Sequence, residues 1–289
     1  MSELSSGRRV AVAGIAASTF LAAMNVAVGL RTQSVSVVAT GVEFAGDVFA
    51  SAIVLLGLLV ASRPPDENHP YGHGRGETLA AFSVGMLLAA GGVGICWQSL
   101  QSVGLKHAPP ALSASVALVL AIIVRGVMST LKFRVGRRLQ SAALVADAWN
   151  DTVDILSAAA ALTAVALARY NPDRFLVADH YGGFVVGVVV IVTAVRILRD
   201  ASMDLMDTMP DTAALQQVRA AVLTVAGVMA IEQVRARKTG LQWHVDIHIE
   251  VDPELTVRRS HDIATAVRQR IRDAVPWVAD TLVHIEPHQ

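Results

Sequence analysis

Six stretches of this chain stay apolar long enough to cross a membrane: residues 10–30, 35–61, 78–103, 111–131, 141–168 and 181–198. At about 1.5 Å of rise per helical residue, each can bridge about 30 Å of hydrocarbon. Short polar links separate them. Beyond residue 198 the period changes. Leu241, Trp243, Val245, Ile247, Ile249 and Val251 alternate with Gln242, His244, Asp246, His248, Glu250 and Asp252, which is the pattern of a half-buried strand. A helical run near 212–225 and a strand near 229–237 precede it, the latter closed by Lys238-Thr239-Gly240. Thr256 is placed to cap a helix through Ala274, and a last strand covers 281–286. The predicted fold is a multi-pass α-helical membrane protein: a six-helix transmembrane domain over 1–200, then a C-terminal α+β domain over 201–289 with one open sheet face.

The polar residues inside the apolar runs carry the candidate chemistry. Glu43 and Asp47 share one helix face in the second run, and Asn150 and Asp154 share one in the fifth. A carboxylate at bilayer depth costs about 2.5–3.5 kcal/mol, so such groups face a polar cavity, a partner or an ion. Two helices offering four oxygen-bearing side chains predict a cation site. Asp147 and Asp151 fall on a different face and read as helix-packing or gating residues. Arg125 reads as a cation that snorkels to the cytoplasmic end of its helix. The link between the second and third runs offers Asp66, His69, His73 and Glu77 among Gly72, Gly74 and Gly76, a donor set suited to a first-row divalent ion. His248, His261, His284, Glu286 and His288 recur on neighbouring elements of the terminal domain and form a second candidate cluster.

Composition agrees: 53% of the 289 residues are apolar and only 17% charged, with the charge concentrated after residue 198. The zero formal net charge gives no reason to expect a nucleic-acid partner, and the single Cys96 cannot form an internal disulfide. Arg8 and Arg9 precede a first run that reads as a retained helix. Arg8, Arg9, Arg63, Arg75, Lys132, Arg134, Arg137, Arg138, Arg196 and Arg199 gather at one set of span ends. Only Arg31, Lys106, Arg169 and Arg174 fall at the other, so both termini are expected in the cytoplasm.

Six spans, the acidic pairs, the loop ENHPYGHGRGE, the exit segment LMDTMPD and the histidine-bearing terminal domain together resemble the cation diffusion facilitator family, over about residues 10–287. The resemblance implies a homodimeric exporter of divalent metal in exchange for protons, embedded in membrane lipid, with a ferredoxin-like cytoplasmic domain and no organic cofactor. The bacterial inner membrane is the expected location. By position the transport site is Glu43, Asp47, Asn150 and Asp154, and the loop site is Asp66, His69 and His73. The terminal-domain site is His248, His261, His284 and Glu286, with Glu232 where relatives often carry a histidine. Arg75 and Asp207 match a pair that in relatives locks the two halves together. Asn150 stands where zinc transporters have histidine and Glu43 where they commonly have aspartate or histidine. An all-oxygen site favours Mn2+ or Fe2+ over Zn2+. Proton coupling then falls on Glu43 and Asp47, since asparagine does not titrate. Two other readings remain open: a transport-inactive metal sensor or assembly platform, and an intramembrane aspartyl protease, to which Gly46-Asp47 is a faint pointer.

Overall fold

The computed structural model describes residues 2–32, 35–101, 112–170 and 172–289. Six long helices come first: α1 (Ser2–Thr32), α2 (Val35–Ala61), α3 (Arg75–Gln101), α4 (Leu112–Leu139), α5 (Ala142–Tyr170) and α6 (Pro172–Leu205). α1 packs along α2 and α4, and α5 packs against α4 and α2. Phe20, Phe49, Leu56, Leu87 and Trp97 are exposed, whereas Ser18, Asn25, Ser51, Arg125, Lys132, Asp147 and Asp151 are buried. A bundle with large apolar side chains outside and charges inside matches a lipid surround, where the outer face needs no polar contacts. Among the described residues, Ser5–Val28, Phe44–Ala61 and Arg75–Gln101 are long and apolar enough to cross a membrane. α5 interrupts its apolar run with Asp147, Asp151 and Asp154. The six helices form the transmembrane domain.

α4 runs two turns past residue 131, where the apolar stretch ends, because Arg134, Arg137 and Arg138 are good helix formers. It stops at Gln140, whose φ of 54° is left-handed, and the Ser141 amide returns to the Gly136 carbonyl at 2.8 Å, closing the helix. Ser141 then opens α5, its hydroxyl accepting from the Leu144 amide at 3.2 Å.

Residues Pro64–Arg75 and Ser202–Gln289 make a second compact unit. It contains α7 (Thr212–Val222), β1 (Ala230–Thr239), β2 (Gln242–Val251), α8 (Val257–Ala274) and β3 (Val278–Pro287). This is the predicted helix, strand, strand, helix, strand order. The sheet runs β1-β2-β3, antiparallel then parallel, with α8 as the crossover between the parallel pair. Thr256 caps α8 as expected, and Asp211 caps α7. The buried face of β2, made by Val245, Ile247, Ile249 and Val251, packs with Val218 and Val222 of α7 and Ile263, Val267 and Ile271 of α8. Both helices therefore cover one face of the sheet. His248 stands on the other.

Candidate metal-transport site and cytoplasmic ligand clusters

In the helical domain Arg125 is only 3% exposed. Its guanidinium pairs with Asp47 of α2 and reaches Asp151 at 2.6 Å and Asp154 at 3.4 Å, both on α5. It also donates to the Ser18 hydroxyl at 3.3 Å and lies 4.9 Å from the Phe44 ring centroid. The Asn150 amide donates to Asp47 at 2.9 Å, which leaves its carbonyl oxygen as an acceptor. Asp47, Asn150 and Asp154 thus converge. The side chain of Glu43 lies outside the described residues. Lys132, fully buried, reaches Asp147 at 2.9 Å and Asp151 at 2.7 Å, and the Ser51 hydroxyl lies 3.1 Å from both Asp147 oxygens.

Three readings of the sequence change here. Arg125 does not snorkel; it is held among three carboxylates. Lys132 does not stay at a span end, since α4 continues for two more turns and Lys132 is buried inside the bundle. Asp147 and Asp151 do hold helices together, but not apart from the ligand face: Asp147 pairs with Lys132, and Asp151 is shared by Lys132 and Arg125, which also holds Asp154. The signal was present in spacing: Arg125 and Lys132 are seven apart, as are Asp147 and Asp154, so each pair lies on one stripe two turns long. Four carboxylates against two cations leave two negative charges when all are ionised, the charge that one divalent cation neutralises.

In the second unit, Asp66 accepts from the His69 amide at 2.7 Å and the Asn68 amide at 3.0 Å, and it lies 3.1 Å from His69 Nδ1 and 3.3 Å from His73 Nε2. The His69 backbone N–H holds the Asp66 carboxyl below the usual carboxylate range. The two rings are 4.4 Å apart, with Gly72 at φ 80° turning the chain between them. Ligand atoms of Asp66, His69 and His73 all lie within 4.8 Å of one another. His73 Nδ1 is buried with no hydrogen-bond partner among the described residues, and the donor set fits a divalent metal. Glu77 does not join this cluster. It is fully buried in the first turn of α3, where it accepts from the Ser141 hydroxyl and the Ala143 amide, both at 2.7 Å, and so caps the start of α5.

The same unit seats this loop on the β1-β2 turn. A Cβ on Gly74 would run into the Thr239 carbonyl, so only glycine permits the approach. Tyr71 meets His244 edge-on at 6.2 Å under the Arg237 guanidinium at 5.0 Å. Arg75 and Asp207 form an ion pair at 2.5 Å, with Lys238 and Asp204 at 2.9 Å.

On the open face of the sheet, His248 of β2 and His284 of β3 are register partners with rings 4.7 Å apart. Glu286 lies 2.8 Å from His248 Nδ1 and 3.6 Å from His284 Nε2. Glu232 occupies a bulge in β1 and reaches His248 Nδ1 at 3.6 Å. Its carboxyl is pushed up by a hydrogen bond to Glu286, while Glu286 is held down by its hydrogen bond to His248. His248, His284 and Glu286 present ligand atoms within 4.8 Å of one another, a set that fits a metal, and Glu232 borders it through its contact with His248. His261 is not brought to the cluster. It is exposed on α8, and α8 covers the opposite sheet face, so strand alternation separates it from His248. His288 pairs instead with Glu250 at 2.6 Å.

A family model for the cation efflux transmembrane domain matches residues 11–206, and one for the cation efflux protein cytoplasmic domain matches residues 210–288. The chain belongs to the cation efflux, or cation diffusion facilitator, family of metal transporters. It is 28% identical over 285 residues to the manganese efflux system protein MneP of Bacillus subtilis, covering 97% of this chain and 96% of that protein. The magnetosome protein MamB of Magnetospirillum gryphiswaldense is 30% identical over 260 residues, covering 90% and 86%. The solved structure of MamM-CTD 215-293 is 30% identical and covers 26% of this chain and 96% of that one, with a TM-score of 0.26.

Proposed function

We propose that this family member moves divalent transition-metal cations, Mn2+ or Fe2+ in preference to Zn2+, out of the cytoplasm in exchange for protons, by alternating access at a site of Glu43, Asp47, Asn150 and Asp154. The observation that carries the reading is the convergence of Asp47, Asn150 and Asp154 from two helices onto one point inside the bundle. A cation crossing there sheds water onto oxygen ligands alone, which suits harder ions. The similar MneP and MneS proteins, both manganese efflux system proteins, support the same metal. Protons return on Glu43 and Asp47. The protein works as a homodimer with both termini cytoplasmic in a bacterial inner membrane. The loop and sheet-face clusters bind metal on the cytoplasmic side, and the Arg75–Asp207 pair ties the loop to the terminal domain. The test is Mn2+ uptake into proteoliposomes under an imposed pH gradient. Asp47→Ala and Asp154→Ala should each abolish uptake, and normal flux in both variants overturns the site.

A further inference from the structure

We propose that Arg125 is a tethered counter-cation that competes with the transported metal and sets its affinity. The inference rests on the transport site proposed above. One guanidinium contacts Asp47 and Asp154, two of the three carboxylates that site offers to a metal. It also contacts Asp151, a carboxylate outside the ligand set. Planar guanidinium forks favour carboxylates strongly in water-poor surroundings, and an ammonium does so with less directional fit. A divalent ion taking Asp47 and Asp154 must therefore displace Arg125 from both. Asp151 gives the displaced guanidinium a charged partner, with the Ser18 hydroxyl beside it. Lys132 and Asp147 behind them remain paired, so the exchange is confined to one side of the network. When the metal leaves, Arg125 returns to the two carboxylates and offsets part of the charge that the metal had neutralised. A monovalent ion offers too little charge to displace the arginine, so the exchange also selects for valence.

The competition has opposite signatures at its two ends, which a merely structural role would not produce. Arg125→Met removes the competitor but keeps the bulk. The KM for Mn2+ uptake should fall about tenfold, within the 5–150-fold range typical of coupled binding, and Vmax should fall with it because release slows. Asp151→Asn removes the alternative partner and leaves Arg125 on Asp47 and Asp154, so KM should rise. Arg125→Lys, which retains charge without the fork, should fall between Arg125→Met and the wild type. The measurement is the KM and Vmax of Mn2+ uptake by full-length protein in proteoliposomes. A KM unchanged or raised in Arg125→Met overturns the proposal. If that variant does not fold, an unchanged or lowered KM in Asp151→Asn overturns it as well. Wild-type uptake that Asp47→Ala abolishes, combined with either of those results, leaves the transport site standing and removes only Arg125's role. Absence of Asp47-dependent uptake in the wild type overturns both.

Discussion

In the helical domain, four aspartates share two cationic side chains of the same chain: Arg125 with Asp47, Asp151 and Asp154, and Lys132 with Asp147 and Asp151. On the open sheet face, Glu232 and Glu286 meet His248 and His284 with no lysine or arginine paired to them among the described residues. Water explains the difference. An exposed carboxylate is solvated whether or not a metal is present, so a cytoplasmic cluster needs no built-in cation. Carboxylates inside a lipid-embedded bundle have no such reserve, and uncompensated charge there is costly. The sheet face adds imidazole nitrogens to its carboxylates and leaves charge balance to water, whereas the buried region offsets part of its carboxylate charge with cations of its own chain.

The comparison is broken most directly at Asp151, which serves both Arg125 and Lys132. Asp151→Ala should lower stability by about 3–5 kcal/mol, the usual cost of leaving a buried partner unpaired. His248→Ala, on the exposed face, should change stability by less than about 1 kcal/mol without metal. Thermal melting of the two full-length variants in detergent decides this. Equal losses would mean that burial does not separate the two clusters.

Metal brings out the other side of the contrast. A ligand bound only to the folded state adds about 2.7 kcal/mol at a hundred times its Kd. Mn2+ or Zn2+ should therefore raise the melting temperature of the cytoplasmic unit, and replacing His248 and His284 together by alanine should remove that gain. His261→Ala should leave it intact. A gain that survives the double replacement would place the ligands elsewhere. Selectivity in the bundle is tested by Asn150→His. Imidazole nitrogen suits zinc better than an amide oxygen, so the Zn2+-to-Mn2+ uptake ratio should rise several-fold, and an unchanged ratio would separate Asn150 from selectivity.

The legible parts of the molecule were those written as local periodicity. The alternation through β2 announced which face holds His248, and the acids spaced four apart announced a shared helix face. Thr256 was readable as a cap because capping is decided within three residues. Contacts between distant segments were not readable in the same way. Glu77 looks like a loop ligand beside His73, yet it crosses to Ser141 and Ala143 and serves as a cap. Arg125 and Lys132 look like span-end cations until the extra turns of α4 carry Lys132 inward and their seven-residue spacing meets that of Asp147 and Asp154. His261 looks like a ligand because it is a histidine near others in sequence, and only the sheet topology puts it on the far side.

The smallest expected effect concerns protons at the seat of the loop. Burial lowers the His244 pKa below its ordinary 6.5, with Arg237 lowering it further and Asp280 and Asp246 acting against both. His244 meets the Tyr71 edge, and Tyr71 lies under Arg237, so a charged imidazole would enter a site that already holds a guanidinium. A histidine of lowered pKa binds its proton less readily in the folded chain than in the unfolded one. Its contribution to stability is therefore complete above pH 6.5 and is lost as the pH falls from there through the lower folded-state value. The cytoplasmic unit of the full-length protein should melt at progressively lower temperature over that window, and His244→Gln should flatten the dependence. Fluorescence of the Trp243–Trp277 pair, 6.0 Å apart in the same unit, reports its melting. If wild type and His244→Gln lose stability in parallel as the pH drops, the proton goes elsewhere and His244 does not tie the loop's seat to pH.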